Sequence, residues 1–216
     1  METNKNHTLV IGITGGIGSG KTTVAKIIAD NGFIVISTDD KAKELMTDNL
    51  EVMKKIIEVF GGEVYLPDGS LNSPFLSSMV FGTDKNSKRN LEKLNSIVHP
   101  PVIDFMIEEV KRLEEAGEPF VFIESALIFE AGLEEGFDYI IVVDADEEYS
   151  VERVSEKTGM SPEEVRMRIE MQMSRDEKKG LADFVIENNG TEVELASSVK
   201  SLINIIKYLK PPEISE

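Results

Sequence analysis

The chain has no cysteine and only two histidines, His7 and His99, in 216 residues. Disulfides, thiolate nucleophiles and cysteine-bound zinc are therefore excluded, and a histidine-built metal cluster has too few donors. Positive charge is also scarce: 23 Lys and Arg stand against 40 Asp and Glu, for a net charge of −17. No general cationic field offsets phosphate repulsion, so nucleic acid is not an expected partner and any anion site has to be built locally. No apolar run approaches the roughly 18 residues of a membrane span, and the polar stretch 1–7 carries no targeting pattern. A cytoplasmic protein with no membrane partner is the expectation. Repeats and low-complexity stretches are lacking too, and 210–216 (Lys-Pro-Pro-Glu-Ile-Ser-Glu) reads as a frayed tail.

Glycine is concentrated where it matters. The run Gly15-Gly16-Ile17-Gly18-Ser19-Gly20-Lys21-Thr22 follows the apolar stretch 9–14 and fits GxxxxGK[ST], the phosphate-binding loop. Glycines let the backbone fold tightly, so that successive N–H groups point at phosphate oxygens. Lys21 adds a mobile cation for the terminal phosphates, and Thr22 offers a hydroxyl to Mg²⁺. The spacing predicts a helix over 22–31, whose positive dipole end faces the same anion. Binding of a nucleoside triphosphate is the leading expectation.

Five short β-branched runs, 9–14, 33–37, 120–123, 139–143 and 184–186, are nearly continuous in apolar residues, as expected of strands buried on both faces. Helical patterns separate them, which predicts right-handed crossovers and an α/β fold with a five-stranded parallel sheet. The interval from 40 to about 117 is too long for a simple crossover and contains helical patterns and turn signals, so it reads as an inserted helical subdomain. Helices are expected there at 40–46, 50–60, 87–98 and 101–115, with 67–70 (Pro-Asp-Gly-Ser) as a turn. A second helix-rich interval, 147–180, contains Ser161 as a helix cap before Pro162. The last helix, 191–209, packs Val193, Ala196, Val199, Leu202, Ile203 and Ile206 on one face. The core is thus 8–39, 118–146 and 181–210.

Asp39 falls just past the second strand, at the carboxyl edge where open α/β sheets bind ligands. It is a general base for an attacking hydroxyl, a Mg²⁺ partner of Thr22, or a cap of the next helix. Glu124 follows the third strand and Glu130 lies six residues on; either can order metal-bound water or be a surface acid. His99, before Pro100 and Pro101, donates to a substrate phosphate or caps a helix. Arg153, Arg166, Arg168 and Arg175 stand out in so acidic a chain. Arg168 and Arg175 are spaced two turns apart on one helical face, and planar guanidinium groups suit a lid closing over phosphates. Ion pairing to nearby acids is the competing reading.

In ordered segments the chain resembles the dephospho-coenzyme A kinases from about Leu9 to Tyr208. These are ITGGIGSGKTTVA (13–25), FGGEVYLPDGSL (60–71), LEKLNSIVHP (91–100), IESALIFEAGL (123–133), VVDADEE (142–148) and LADFVIENNG (181–190). The resemblance implies a P-loop core like that of nucleoside monophosphate kinases, a helical coenzyme A subdomain over 40–117 and a lid over 147–180. It also implies ATP-dependent phosphorylation of the ribose 3′-hydroxyl of dephospho-coenzyme A, with Mg²⁺. On this likeness the loop from Gly15 to Thr22 and Thr23 is the ATP phosphate site, Asp39 the general base and His99 an acceptor-binding residue. Arg153, Gln172 and Asn188 fall in lid and nucleotide-binding segments, with Gln172 and Glu124 assigned to the acceptor. The family pattern often has Asp, Arg, Arg, Pro and Arg where this chain has Ser37, Lys43, Ser73, Ala126 and Lys157. Lysine keeps charge but loses bidentate geometry. From the loop alone, another small-molecule kinase or a nucleotide-dependent binding module also fits.

Overall fold

The computed structural model describes residues 7–81 and 86–210; the polar stretch 1–6 and the tail 211–216 lie outside it. Five strands, β1 (Leu9–Gly15), β2 (Ile34–Ser37), β3 (Phe120–Glu124), β4 (Tyr139–Asp144) and β5 (Phe184–Glu187), form one parallel sheet in the order β2-β3-β1-β4-β5. Each strand carries the apolar run expected of it. The described residues divide into two compact units, one running to Ser37 and resuming at Val110, the other Thr38–Glu109.

In the first unit the strand period of two assigns the two sheet faces. Ile11, Ile13, Ile141 and Val143 point into a core completed by Val24 and Ile28 of α1 (Lys21–Asp30) and by the final helix. Ile140 and Val142 point the other way, toward Ile128 and Phe129. The final helix, Glu192–Ile206, buries Leu195, Val199, Leu202, Ile203 and Ile206. Val193, expected in that stripe, is 79% exposed, because Leu195 completes the spacing instead.

The second unit begins with α2 (Thr38–Asp48) and α3 (Leu50–Phe60), which is capped by Asn49 accepting from the N–H groups of Glu51 and Val52. After the turn at Gly69 come α4 (Ser73–Val80) and α5 (Ser87–Ala116), whose last turns belong to the first unit. Val52, Ile56, Phe60, Val64, Leu76, Val80, Val98 and Val102 form its own core. Two helices were expected either side of His99-Pro100-Pro101, but α5 runs through all three residues. Proline's fixed φ suits a helix and costs the preceding turn its hydrogen bonds, and the packing of Val98 and Val102 holds the helix together there. His99 is therefore interior to a helix and caps nothing.

The 147–180 interval contains α6 (Glu147–Thr158), α7 (Pro162–Glu170) and α8 (Arg175–Gly180). Ser161 caps α7 as expected, in a capping box with Glu164. Ser174 with Glu177 and Thr191 with Glu194 make two more; the S/T-x-x-E signature for both is present in the sequence. The last helix is α9.

Candidate active site

β1 passes directly into the glycine loop, and α1 starts at Lys21 with Gly20 as its N-cap and no capping side chain. The positive end of that helix is thus turned to the loop. Gly18 and Gly20 have φ of 76° and 96°, the left-handed region that favours glycine. Space enforces the same choice. A Cβ at Gly18 would lie 2.5 Å from the Ser150 carbonyl oxygen on α6, and one at Gly20 would strike the side-chain amide of Asn188.

Three polar tethers hold the loop. Lys21 Nζ donates to the carbonyls of Gly15 at 3.0 Å and Gly16 at 3.2 Å. Asn188 Nδ2 donates to the Ser19 carbonyl at 2.8 Å, and the Ile17 N–H donates to Gln172 Oε1 at 2.8 Å. Two hydroxyls, Thr14 Oγ1 just before the loop and Ser19 Oγ within it, are buried without a hydrogen-bond partner. Beyond the loop, Thr22 Oγ1 donates to Glu124 Oε1 at 2.7 Å, while Thr23 stays exposed on the first turn of α1. Glu124 ends β3, stands in register with Ile13 of β1 and Ser37 of β2, and is 4% exposed. A hydroxyl and a carboxylate side by side are the oxygen donors a hard cation takes.

Between the two acids left open by the sequence, the fold discriminates. Glu130 pairs with the buried ammonium of Lys178 at 2.7 Å, a contact of charge without hydrogen-bond alignment, and it accepts the Met173 N–H at 3.2 Å. Glu124 is the acid that faces the loop.

The arginines separate in the same way. Arg153, on α6, lies 5.8 Å from the centre of the Tyr149 ring, and its Nη1 is buried with no hydrogen-bond partner. Arg166 pairs with Glu147 at 3.3 Å. Burial holds the Arg168 guanidinium below its ordinary value, partly offset by Glu164. Arg175 grips Asp144 through Nε and Nη2 at 2.8 and 2.9 Å and reaches Asp146 at 2.8 Å. Burial pushes the Asp144 carboxyl up, but the bonds and charge of Arg175, then Lys179, outweigh it and hold it below the usual range. Arg168 and Arg175 do not share a helical face: α7 ends at Glu170, and Ser174 starts α8 between them. Spacing alone could not reveal that break; the capping box did.

In the second unit Asp39 is the half-buried second residue of α2, past the N-cap position, and Asp40 is exposed and paired with Lys43 at 2.9 Å. His99 is half-buried, and its desolvation holds the imidazole below the ordinary histidine value. Lys41 Nζ sits 4.5 Å over the Phe105 ring. Sequence reasoning did not anticipate the Asp144–Arg175 clasp or the Asn188–Ser19 and Gln172–Ile17 bonds, because each joins residues remote along the chain.

A parallel sheet of this order, with a glycine loop between β1 and α1 and a Thr–Glu pair beside it, defines a P-loop kinase of the nucleoside-monophosphate-kinase type. The family profile described as dephospho-CoA kinase matches residues 9–194. A dephospho-CoA kinase from Bacillus licheniformis is 40% identical over 204 residues, 93% of this chain and 100% of that one. A crystal structure of a Thermus thermophilus protein superposes with a TM-score of 0.76 at 35% identity, covering 94% of this chain and 99% of that one. A dephospho-CoA kinase structure from Campylobacter jejuni gives 0.65 at 27%, covering 91% and 96%. The chain belongs to the dephospho-CoA kinase family: it is an ATP-using kinase that converts dephospho-CoA to CoA. No helix among the described residues is long and apolar enough to cross a membrane.

Proposed function

We propose that the loop from Gly15 to Thr23 holds the triphosphate of ATP and that Asp39 is the general base that frees the ribose 3′-hydroxyl of dephospho-CoA. In the transfer, the 3′-oxygen forms a bond to the γ-phosphorus as the bond to the β,γ-bridging oxygen breaks. The hydroxyl proton passes to Asp39, and ADP leaves. Lys21 moves from the carbonyls of Gly15 and Gly16 to the terminal phosphates. Arg153 supplies charge to the transferring group, and its buried, unpartnered Nη1 supports that role. Asn188 keeps the loop in place through Ser19. The unit Thr38–Glu109 is the acceptor domain, where His99 binds the substrate, and 147–180 is the lid.

Thr22 and Glu124 would hold Mg²⁺. No group of three or more His, Asp or Glu side chains is poised for a metal among the described residues. That suits Mg²⁺, which keeps water and phosphate oxygens in its shell and needs few protein ligands. When bound, it supplies neutralisation of charge developing on the phosphate oxygens.

The observation that carries this reading is the ammonium of Lys21 resting on its own loop at an uncapped helix start. Calorimetry and turnover of Asp39→Asn test the base. ATP affinity is expected to stay as in the wild type while turnover falls roughly 10²- to 10⁴-fold. Wild-type turnover removes Asp39 from the role.

A further inference from the structure

The link between α7 and α8 is braced against the rest of the first unit from several sides. Met173 N–H is held by Glu130, Glu130 pairs with Lys178, and Arg175 clasps Asp144 at the end of β4. Ser174 and Glu177 close a capping box that sets where α8 begins. The brace delivers one side chain onto the glycine loop: Gln172, whose Oε1 accepts the Ile17 N–H at 2.8 Å.

The bond falls on a particular peptide group, the one joining Gly16 to Ile17. Its carbonyl accepts from Lys21 Nζ at 3.2 Å and from the Ser19 N–H at 3.2 Å, and its N–H is given to Gln172. Both ends of a single peptide plane are therefore bonded, which sets its rotation. The next residue, Gly18, has a φ of 76° and turns the chain into the anion cradle. A rotated Gly16–Ile17 peptide would redirect the N–H groups that follow. When Lys21 turns to a phosphate, the carbonyl loses one of its two donors, and Gln172 becomes a larger share of what holds the plane.

We propose that Gln172 is a positioning residue of the ATP site: a neutral acceptor, carried by the braced arm of the 147–180 segment, that fixes the Gly16–Ile17 peptide in its phosphate-binding orientation. This rests on the reading of the loop as the ATP site. The neutrality of the amide is part of the inference. A carboxylate at the same place would accept the Ile17 N–H at least as strongly, but it would set a negative charge beside the triphosphate.

The test compares Gln172→Ala, Gln172→Glu and Lys21→Ala with the wild type by ADP calorimetry, steady-state kinetics and thermal melting. For Gln172→Ala, the KM for ATP is expected to rise about fivefold, the loss of one neutral hydrogen bond, with the KM for dephospho-CoA unchanged. For Gln172→Glu, melting is expected near the wild-type temperature while ADP binds at least as weakly as to the alanine variant. A melting-temperature loss in Gln172→Ala with wild-type KM values, or wild-type ADP affinity in Gln172→Glu, overturns the proposal. Lys21→Ala separates the two readings. If it loses ADP affinity while both Gln172 variants bind normally, only the role of Gln172 fails. Should Lys21→Ala also bind ADP normally, the loop itself is not the nucleotide site.

Discussion

Arg153 and Arg175 belong to the same helical segment and carry the same guanidinium, yet the fold surrounds them oppositely. Arg175 spends three hydrogen bonds on Asp144 and Asp146, with Lys179 adding charge at 3.4 Å from Asp144. Arg153 has a buried Nη1 with no hydrogen-bond partner and an aromatic ring as neighbour. A buried donor without a partner costs free energy in the resting protein, and a ligand anion recovers it. The two arginines teach that a cluster of cations in an acidic chain is not one site. One of them ties the segment to the sheet, and the other keeps a buried donor that the proposed phosphoryl transfer would use.

That contrast can be broken by exchanging which arginine is lost. Arg153→Ala is expected to have the largest effect on catalysis, a fall in kcat/KM of roughly 10²- to 10³-fold with an unchanged melting temperature. Steady-state kinetics beside a thermal melt would check it, and equal losses of stability would erase the distinction. Arg175→Ala should do the reverse. With the arginine about a third exposed, unclasping Asp144 costs about 2 kcal/mol of stability after allowance for solvent screening, measurable by urea unfolding.

Asp144→Asn sharpens the same point through pH. The folded carboxyl is held below its ordinary value, so its contribution to stability is fully present above the unfolded carboxylate range. It is lost as pH falls through the lower, folded value. The wild type should therefore show an acid-side loss of stability beginning near pH 4, and unfolding curves of the variant should lack that component. Ser161→Ala is the smallest perturbation: removal of the α7 cap costs about 1 kcal/mol and leaves kcat unchanged, since the cap touches neither arginine.

Much of the architecture was legible because it is written locally. All five strands are apolar runs, and the phosphate loop is contiguous, so its residues are neighbours in any fold that forms it. The errors have local causes as well. His99-Pro100-Pro101 reads as a break, yet proline is compatible with helical φ, and packing at Val98 and Val102 carries α5 across it. Arg168 and Arg175 share a face only if the helix is continuous, and the Ser174 cap interrupts it. Val193 lost its place to Leu195, two residues on, because Leu195 also keeps helical spacing to Val199 and Leu202.

The sequence by itself determined the sheet's strands, the glycine loop and the residue types that phosphoryl transfer requires, since each depends on short-range spacing and backbone preference. Only the tertiary structure decided that Glu124 attends Thr22 while Glu130 attends Lys178, that Arg175 clasps Asp144 while Arg153 keeps a buried Nη1 without a hydrogen-bond partner, and that Gln172 reaches Ile17. Those choices turn on which side chains meet across long chain separations. Charge and hydrogen-bond capacity limit what each group can do, but distance decides which partner it has.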